Sequence, residues 1–362
     1  MPVELFGDLS VKFFKRIDEH QGEPVSVIGL MERLTLDALA RGLFAVDFHA
    51  LDDINSPYSN AYLNIKDSLR DLFLILFPQL DFLVKHISSK RARLTRDVDA
   101  LSNLLLDVAK KRRQEIQERR AQGIVVPDNQ KDLLTRIMEA ELDGIDGMSS
   151  DEDLRGNLAV FFLAGHETTA NALSFAIYHL ARYADVQEKA RKQVIEVLGD
   201  EKRDVFPTAE QLKEMKYIDM IIKENLRLLG PADFLNARYT LEDFNAGDLF
   251  IPKGTLVSID LSAIQLNPDL WDKPNDFIPE RFEEGAEADQ QKGLAWLPFS
   301  NGGRQCIGMN FSLAEQRVLL AMLLRKYEWT LPEDSAHKDG VKLGSFLNVA
   351  PQNLTIVFKN RY

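Results

Sequence analysis

The chain holds one cysteine in 362 residues. A single cysteine excludes an intramolecular disulfide and suits a reducing compartment. Positive charge is also short, with 44 Lys and Arg against 56 Asp and Glu and a net charge of -12. Such a field repels phosphate and excludes a nucleic-acid binder. The densest basic run, Lys110 to Arg113 with Arg119 and Arg120, is broken by Gln114, Glu115 and Glu118. It reads as a solvated helix face. No apolar stretch reaches membrane-spanning length, and the acidic residues Glu4 and Asp8 interrupt the start of the chain, so no signal peptide is expected there. Internal repeats and low-complexity segments are missing too. What is present is ordinary globular composition, 45% hydrophobic and 28% charged, enough for a large core or two average domains.

Residues 1–148 read as helical. Leu101, Leu104, Leu105 and Val108 recur at helical spacing, so 97–120 is expected to be one amphipathic helix, with Gly123 and Pro127 marking a loop. Ser149 and Glu152 form a capping-box start, and the pattern from there runs to residue 183 without a proline. That is roughly 34 residues, or about 50 Å of helix. Its middle, Phe161 to Thr169, interrupts an apolar run with polar residues. Further helices are expected over 186–198 and 208–229. From Pro231 the texture changes. Ile251, Pro252, Lys253 and Gly254 suit a turn with Pro second and Gly fourth, followed by Val257, Ile259 and Leu261 as a half-buried strand. Residues 267–301 form a long irregular stretch of the kind that is usually functional. A final helix over 307–326 precedes short strands.

Cys306 sits in Phe299-Ser-Asn-Gly-Gly-Arg-Gln-Cys306-Ile-Gly308, with a helix expected to begin at the cysteine. A helix N-terminus favours a thiolate. Gly302, Gly303 and Gly308 would let backbone approach a flat cofactor, and Arg304 supplies a cation able to pair with a carboxylate. The plain alternative is a buried, inert cysteine.

Gly165 costs about 1 kcal/mol relative to alanine inside a helix. With Glu167, Thr168 and Thr169 it suggests a functional deformation. Equally, the threonines could bond back one turn and merely bend the helix. His166-Glu167 does not complete a zinc-protease motif, because position 170 is Ala170. Glu224 and Arg227 lie one turn apart, and with Arg281 of Pro279-Glu280-Arg281-Phe282 they could pin the irregular stretch to a helix.

These segments together resemble the cytochrome P450 family. Phe299, Gly302, Arg304, Cys306 and Gly308 match its haem-binding loop, and Ala164, Gly165, Glu167, Thr168 and Thr169 match its oxygen-activation motif. Glu224 with Arg227 matches its helix pair, and 279–282 the loop carrying the third partner. The resemblance implies a mostly α fold with small β-sheets (α+β). It implies haem b (iron protoporphyrin IX) held by Cys306, with Arg304 and Arg238 as propionate partners and Phe299 beside the ligand loop. Glu167 and Thr168 would deliver protons during dioxygen activation, Gly165 would leave room for the gas and substrate, and Glu224, Arg227 and Arg281 would form a structural lock. O2, a small apolar organic substrate and NADPH-cytochrome P450 reductase are the implied partners, since the chain carries no flavin or nicotinamide fingerprint.

The similarity begins at 26–48. The expectation is therefore a single domain over 1–362, eukaryotic and microsomal in type and N-terminally incomplete, without the first strands, early helices and membrane anchor. Its parts would be 1–148 (lid and flanking helices), 149–232 (oxygen-binding helix to Glu-x-x-Arg helix) and 233–362 (strands, meander, ligand loop and C-terminal elements). The endoplasmic reticulum membrane is implied for the full-length relative, through an anchor outside this chain. Val160, Phe161, Ala164, residues 231–236 and the region of Phe346 are expected near substrate. Residues 57–86, with Phe73, Phe77 and Phe82, are expected as lid or core. The competing functions are a silent truncated fragment and a haem-thiolate isomerase or peroxygenase.

Overall fold

The computed structural model describes residues 2–362 except 54–55, 57–58, 61, 63–64, 66–76, 78, 80–83, 85–86, 128–130, 145–150, 292–293 and 345–348. Ser149, Phe73, Phe82 and Phe346, named above for the cap, the lid and the substrate wall, lie outside the described residues. The chain divides into two units, Pro2–Gln21 with Gly29–Ala170, and Gly22–Ile28 with Asn171–Tyr362.

The first unit is helical. It contains α1 (Val3–Asp18), most of α2 (Val27–Phe44), α3 (Ser89–Ala121), α4 (Leu133–Leu142) and residues 151–170 of α5 (Asp151–Arg182). Helix α3 begins earlier than its apolar spacing alone suggests, because the Ser88 hydroxyl accepts from the Arg91 N–H. Leu101, Leu105, Ala109 and Ile116 bury one stripe of α3 with Leu134 and Met138 of α4. Each fully buried leucine of this kind contributes about 2 kcal/mol. The basic run is not a plain solvated face. Arg112 reaches Asp132 at 2.5 Å and Arg113 reaches Glu141 at 2.7 Å, tying α3 to α4.

The second unit carries the last turns of α5, then α6 (Ala184–Leu198), α7 (Ala209–Glu214) and α8 (Lys216–Leu228). The single helix expected over 208–229 breaks at Met215. The Tyr217 N–H donates to the Gln193 side chain at 2.9 Å instead of continuing the α7 ladder. Beyond Pro231 come β2 (Arg238–Tyr239), β3 (Phe244–Ala246), β4 (Leu249–Ile251), β5 (Leu256–Val257) and α9 (Leu261–Gln265). A 3-10 turn (Pro279–Phe282), α10 (Glu287–Gln290) and α11 (Met309–Lys326) follow, then β6 (Tyr327–Thr330) and β7 (Thr355–Asn360).

Strand β7 lies between β1 (Val25–Ser26) and β6, both antiparallel to it, with Val25 opposite Ile356 and Trp329 opposite Phe358. Tyr327, Trp329, Ile356 and Phe358 alternate inward, the period of two that a half-buried strand requires. Strands β2 and β5 pair with each other, as do β3 and β4. These two small ladders expose Tyr239, Leu249, Phe250 and Leu256.

Two local expectations change here. The turn lies one residue later than its proline suggested: Thr255 N–H bonds to Pro252 carbonyl, which puts Gly254 third, at φ +81°. The strand expected to reach Leu261 stops at Val257. The Asp260 side chain caps α9 by accepting from Ala263 N–H, and Leu261 is buried as a helical residue.

Candidate functional site

In the first unit, α5 stays helical through the polar patch, but its side chains turn back on it. The Thr168 hydroxyl donates to Ala164 carbonyl at 2.8 Å, and Thr169 to Gly165 carbonyl at 3.4 Å. This back-bonding is the geometry that bends helices. Glu167 and His166 are buried, Phe161 is half-buried, and Ala164 and Val160 are exposed. The space a side chain would take at Gly165 is filled by Leu39 of α2: an added Cβ would lie 2.8 Å from Leu39 Cδ1. A side chain at this position would therefore require Leu39 to move.

In the second unit, the cysteine loop is built by its own backbone. Cys306 N–H bonds to Phe299 carbonyl at 2.9 Å, and Asn301 Oδ1 accepts from Gly302 N–H at 2.7 Å. Gly302 has φ +72°, a conformation that favours glycine. Phe299 is half-buried and stands edge-on to Trp296 at 6.3 Å, while the Trp296 indole N–H donates to Lys223 carbonyl at 2.9 Å. The helix does not begin at the cysteine. Gly308 is the cap residue and α11 starts at Met309, so Cys306 precedes the helix by a turn and its own N–H is already used. Cys306, Arg304 and Arg238 are exposed, the last in β2 opposite Val257. Of the 231–236 stretch, Pro231 is buried and Phe234 exposed.

Glu224, Arg227 and Arg281 meet in this same unit, all buried. Arg227 grips Glu224 with two parallel bonds, Nε at 2.7 Å and Nη2 at 2.8 Å. The Arg281 Nε and the Ile278 N–H add bonds to the same carboxylate at 3.3 and 3.0 Å. Further donors of Arg227 bind the carbonyls of Gln265, Pro274 and Asp276, and its guanidinium lies 5.1 Å from the Trp271 ring. Two segments of the irregular stretch are thereby fastened to α8.

Sequence reasoning missed two buried polar groups. His179 stacks on Phe277 at 4.4 Å, and its Nδ1 meets the Asn225 side chain at 2.9 Å. Burial pulls its pKa down to about 4. Tyr62 meets His166 Nδ1 at 3.0 Å, across 104 residues of sequence. Neither pairing leaves a trace in local spacing.

The family profile described as cytochrome P450 matches residues 3–357. Cytochrome P450 4d2 of Drosophila melanogaster is 26% identical over 338 residues, covering 90% of this chain and 66% of that protein. Cytochrome P450 4F5 of Rattus norvegicus is 32% identical over 311 residues, covering 83% and 57% respectively. The crystal structure of a mutant cytochrome P450DA heme domain superposes with a TM-score of 0.81 at 25% identity, over 99% of this chain and 73% of that one. A mostly helical fold with small antiparallel sheets is the architecture of these heme domains. The chain belongs to the cytochrome P450 family. It spans under two thirds of the length of most of the curated relatives it matches, for example 62% of cytochrome P450 3A31 of Mesocricetus auratus.

The cysteine loop fits a haem. Its donor is an exposed thiol, and a Cβ at Gly302 or Gly303 would meet nothing within 4 Å. At Gly308 the first atom a Cβ would meet is the Cys306 sulfur, 3.8 Å away. A flat group can approach such a surface closely, and a soft thiolate suits iron. Among the described residues no group of three His, Cys, Asp or Glu side chains gathers as an alternative metal site.

Proposed function

We propose that the chain acts as one catalytic domain, a haem-dependent monooxygenase that inserts one oxygen atom from O2 into a small apolar organic substrate. Electrons come from NADPH-cytochrome P450 reductase. The observation that carries this reading is the exposed Cys306 thiol on its glycine-flanked loop. Haem b, held by the Cys306 sulfur, supplies the redox chemistry with dioxygen when bound. Arg304 and Arg238 would pair with its propionates, since both present exposed guanidinium groups. Phe299 fixes the loop by accepting the Cys306 N–H.

Glu167 and Thr168 would move protons. The Thr168 hydroxyl now donates to Ala164 carbonyl, so it must leave that acceptor before it can pass its proton elsewhere. Glu224, Arg227 and Arg281 would serve as a structural lock, fastening the segment from Pro274 to Arg281 to α8. The endoplasmic reticulum membrane is the location proposed for a full-length relative of this chain, following the mammalian members of the family. None of the described helices is long and apolar enough to cross a membrane.

The test is turnover under isotopic dioxygen with haem, reductase and NADPH. One labelled atom in the product supports the reading. Label-free product, or turnover with hydroperoxide and none with NADPH, would point to a peroxygenase or isomerase instead.

A further inference from the structure

Tyr62 and His166 are both buried, and their rings meet edge to face at 4.5 Å and 85°. The phenol oxygen is 3.0 Å from His166 Nδ1, and the same nitrogen is 3.3 Å from Phe162 carbonyl, one turn back along α5. Nδ1 cannot serve both neighbours in the same way. If it carries a proton it donates to the carbonyl, competing with the backbone bond of the helix. If it is bare it accepts the phenol proton and leaves the carbonyl to the helix.

The surroundings decide between the two. Burial first, and then the nearby carboxylates of Glu167 and Glu32, push the Tyr62 phenol above its usual range, so the hydroxyl keeps its proton. A buried O–H needs an acceptor, and among the described residues the partner of Tyr62 is His166 Nδ1. Tyr62 is itself anchored within a cluster of buried side chains that includes Leu39, Leu158 and Phe162. Three residues before it, the Ser59 hydroxyl takes a donor from Arg33 at 3.4 Å. The turn of α5 that bears Glu167 and Thr168 is thus held from outside the helix, next to both residues.

We propose that Tyr62 is a positioning residue for Glu167 and Thr168, acting through His166. Its phenol donates to Nδ1, keeps the imidazole in the tautomer protonated at Nε2, and so fixes the rotation of the turn that presents the acid and the threonine. The proposal rests on the reading of that pair as the proton-delivering residues. Such a device matters because a small displacement of a proton donor costs rate out of proportion to the movement.

The variant Tyr62→Phe keeps the ring and removes only the hydroxyl. In protein labelled with 15N-histidine, with His166 assigned through His166→Asn, the wild type should show Nδ1 bare and Nε2 protonated. In Tyr62→Phe the proton should move to Nδ1, where Phe162 carbonyl accepts it. The same tautomer in both proteins would overturn the proposal. The Glu167 side-chain carboxyl resonance, assigned through Glu167→Gln in 13C-labelled protein, should shift in Tyr62→Phe; an unmoved resonance would also overturn it. With haem, reductase and NADPH, Tyr62→Phe should send a severalfold larger share of electrons to peroxide. Unchanged coupling contradicts the positioning role. If the wild type itself turns nothing over, the monooxygenase reading fails, while the two resonance measurements still judge Tyr62.

Discussion

The Glu224 cluster and the Cys306 loop belong to one unit and carry two of the chain's best-matched motifs, yet they are built in opposite ways. Glu224, Arg227 and Arg281 are shut away from solvent, and one carboxylate takes four donors from two different stretches of chain. The Cys306 loop is exposed from Asn301 to Ile307 and held mainly by its own backbone. The first is closed upon itself, so its worth is stability. The second keeps its sulfur and its arginine outward, where they can serve something other than the fold. Two motifs of similar length can therefore be sorted by burial and by where their hydrogen bonds go, without reference to any activity.

The sharpest way to break this contrast is to remove the shared carboxylate. Glu224→Ala leaves two buried guanidinium groups without their counter-charge and should cost about 3–5 kcal/mol in urea unfolding. A loss below about 1 kcal/mol, the size of a surface pair, would mean that the cluster is not a lock. Arg281→Lys should also weaken it, because a lysine cannot replace the planar fork that reaches Glu224, Glu287 and Lys273 carbonyl at once.

Next in size comes acid sensitivity on the buried side. His179 is held neutral, with a pKa near 4 against an ordinary value of 6.5. The unfolded chain binds a proton below pH 6.5 and the folded chain does not until about pH 4, so this stabilisation is complete above 6.5 and disappears as pH falls through 4. It amounts to about 3 kcal/mol at neutral pH. Thermal melts from pH 7 to pH 4 should fall less steeply in His179→Asn than in the wild type. Parallel slopes would show that the histidine is not buried neutral.

Smaller again is Gly165→Ala. Alanine gains up to about 1 kcal/mol in helix propensity, but the new methyl collides with Leu39, an overpacking cost of about 1–3 kcal/mol. A net loss of about 1 kcal/mol is expected, and it should vanish in a Leu39→Ala background, measured as a double-mutant cycle. The smallest effect belongs to the open side of the comparison. Arg304→Ala should change the stability of the haem-free protein by less than about 0.5 kcal/mol, while weakening haem retention. Equal haem retention would remove Arg304 from the site.

Much of this organisation was legible in the sequence for a physical reason: motifs confined to one turn or one loop carry their geometry in their spacing. Glu224 and Arg227 lie on one helical face and can only point the same way. Gly302 marks a positive φ, and Asn301 beside it supplies the acceptor for its N–H. What escaped was set by partners that helical or strand spacing does not reveal, some of them far along the chain. The helix broke at Met215 because Gln193 offered a better acceptor, and the strand after Leu256 ended because Asp260 capped a helix. Gly165 answered to Leu39, 126 positions earlier, and no local pattern could have said so. The helix placed at Cys306 began three residues late, at Met309, with Gly308 as its cap residue.

The proposed activity depends above all on the Cys306 sulfur as the iron ligand. The direct measurement is the absorption spectrum of the haem-loaded, reduced protein under carbon monoxide, taken beside Cys306→His. The wild type should show the red-shifted Soret band of thiolate ligation and the variant should lose it. A wild-type Soret band without that shift, or one unchanged by the substitution, would contradict the account.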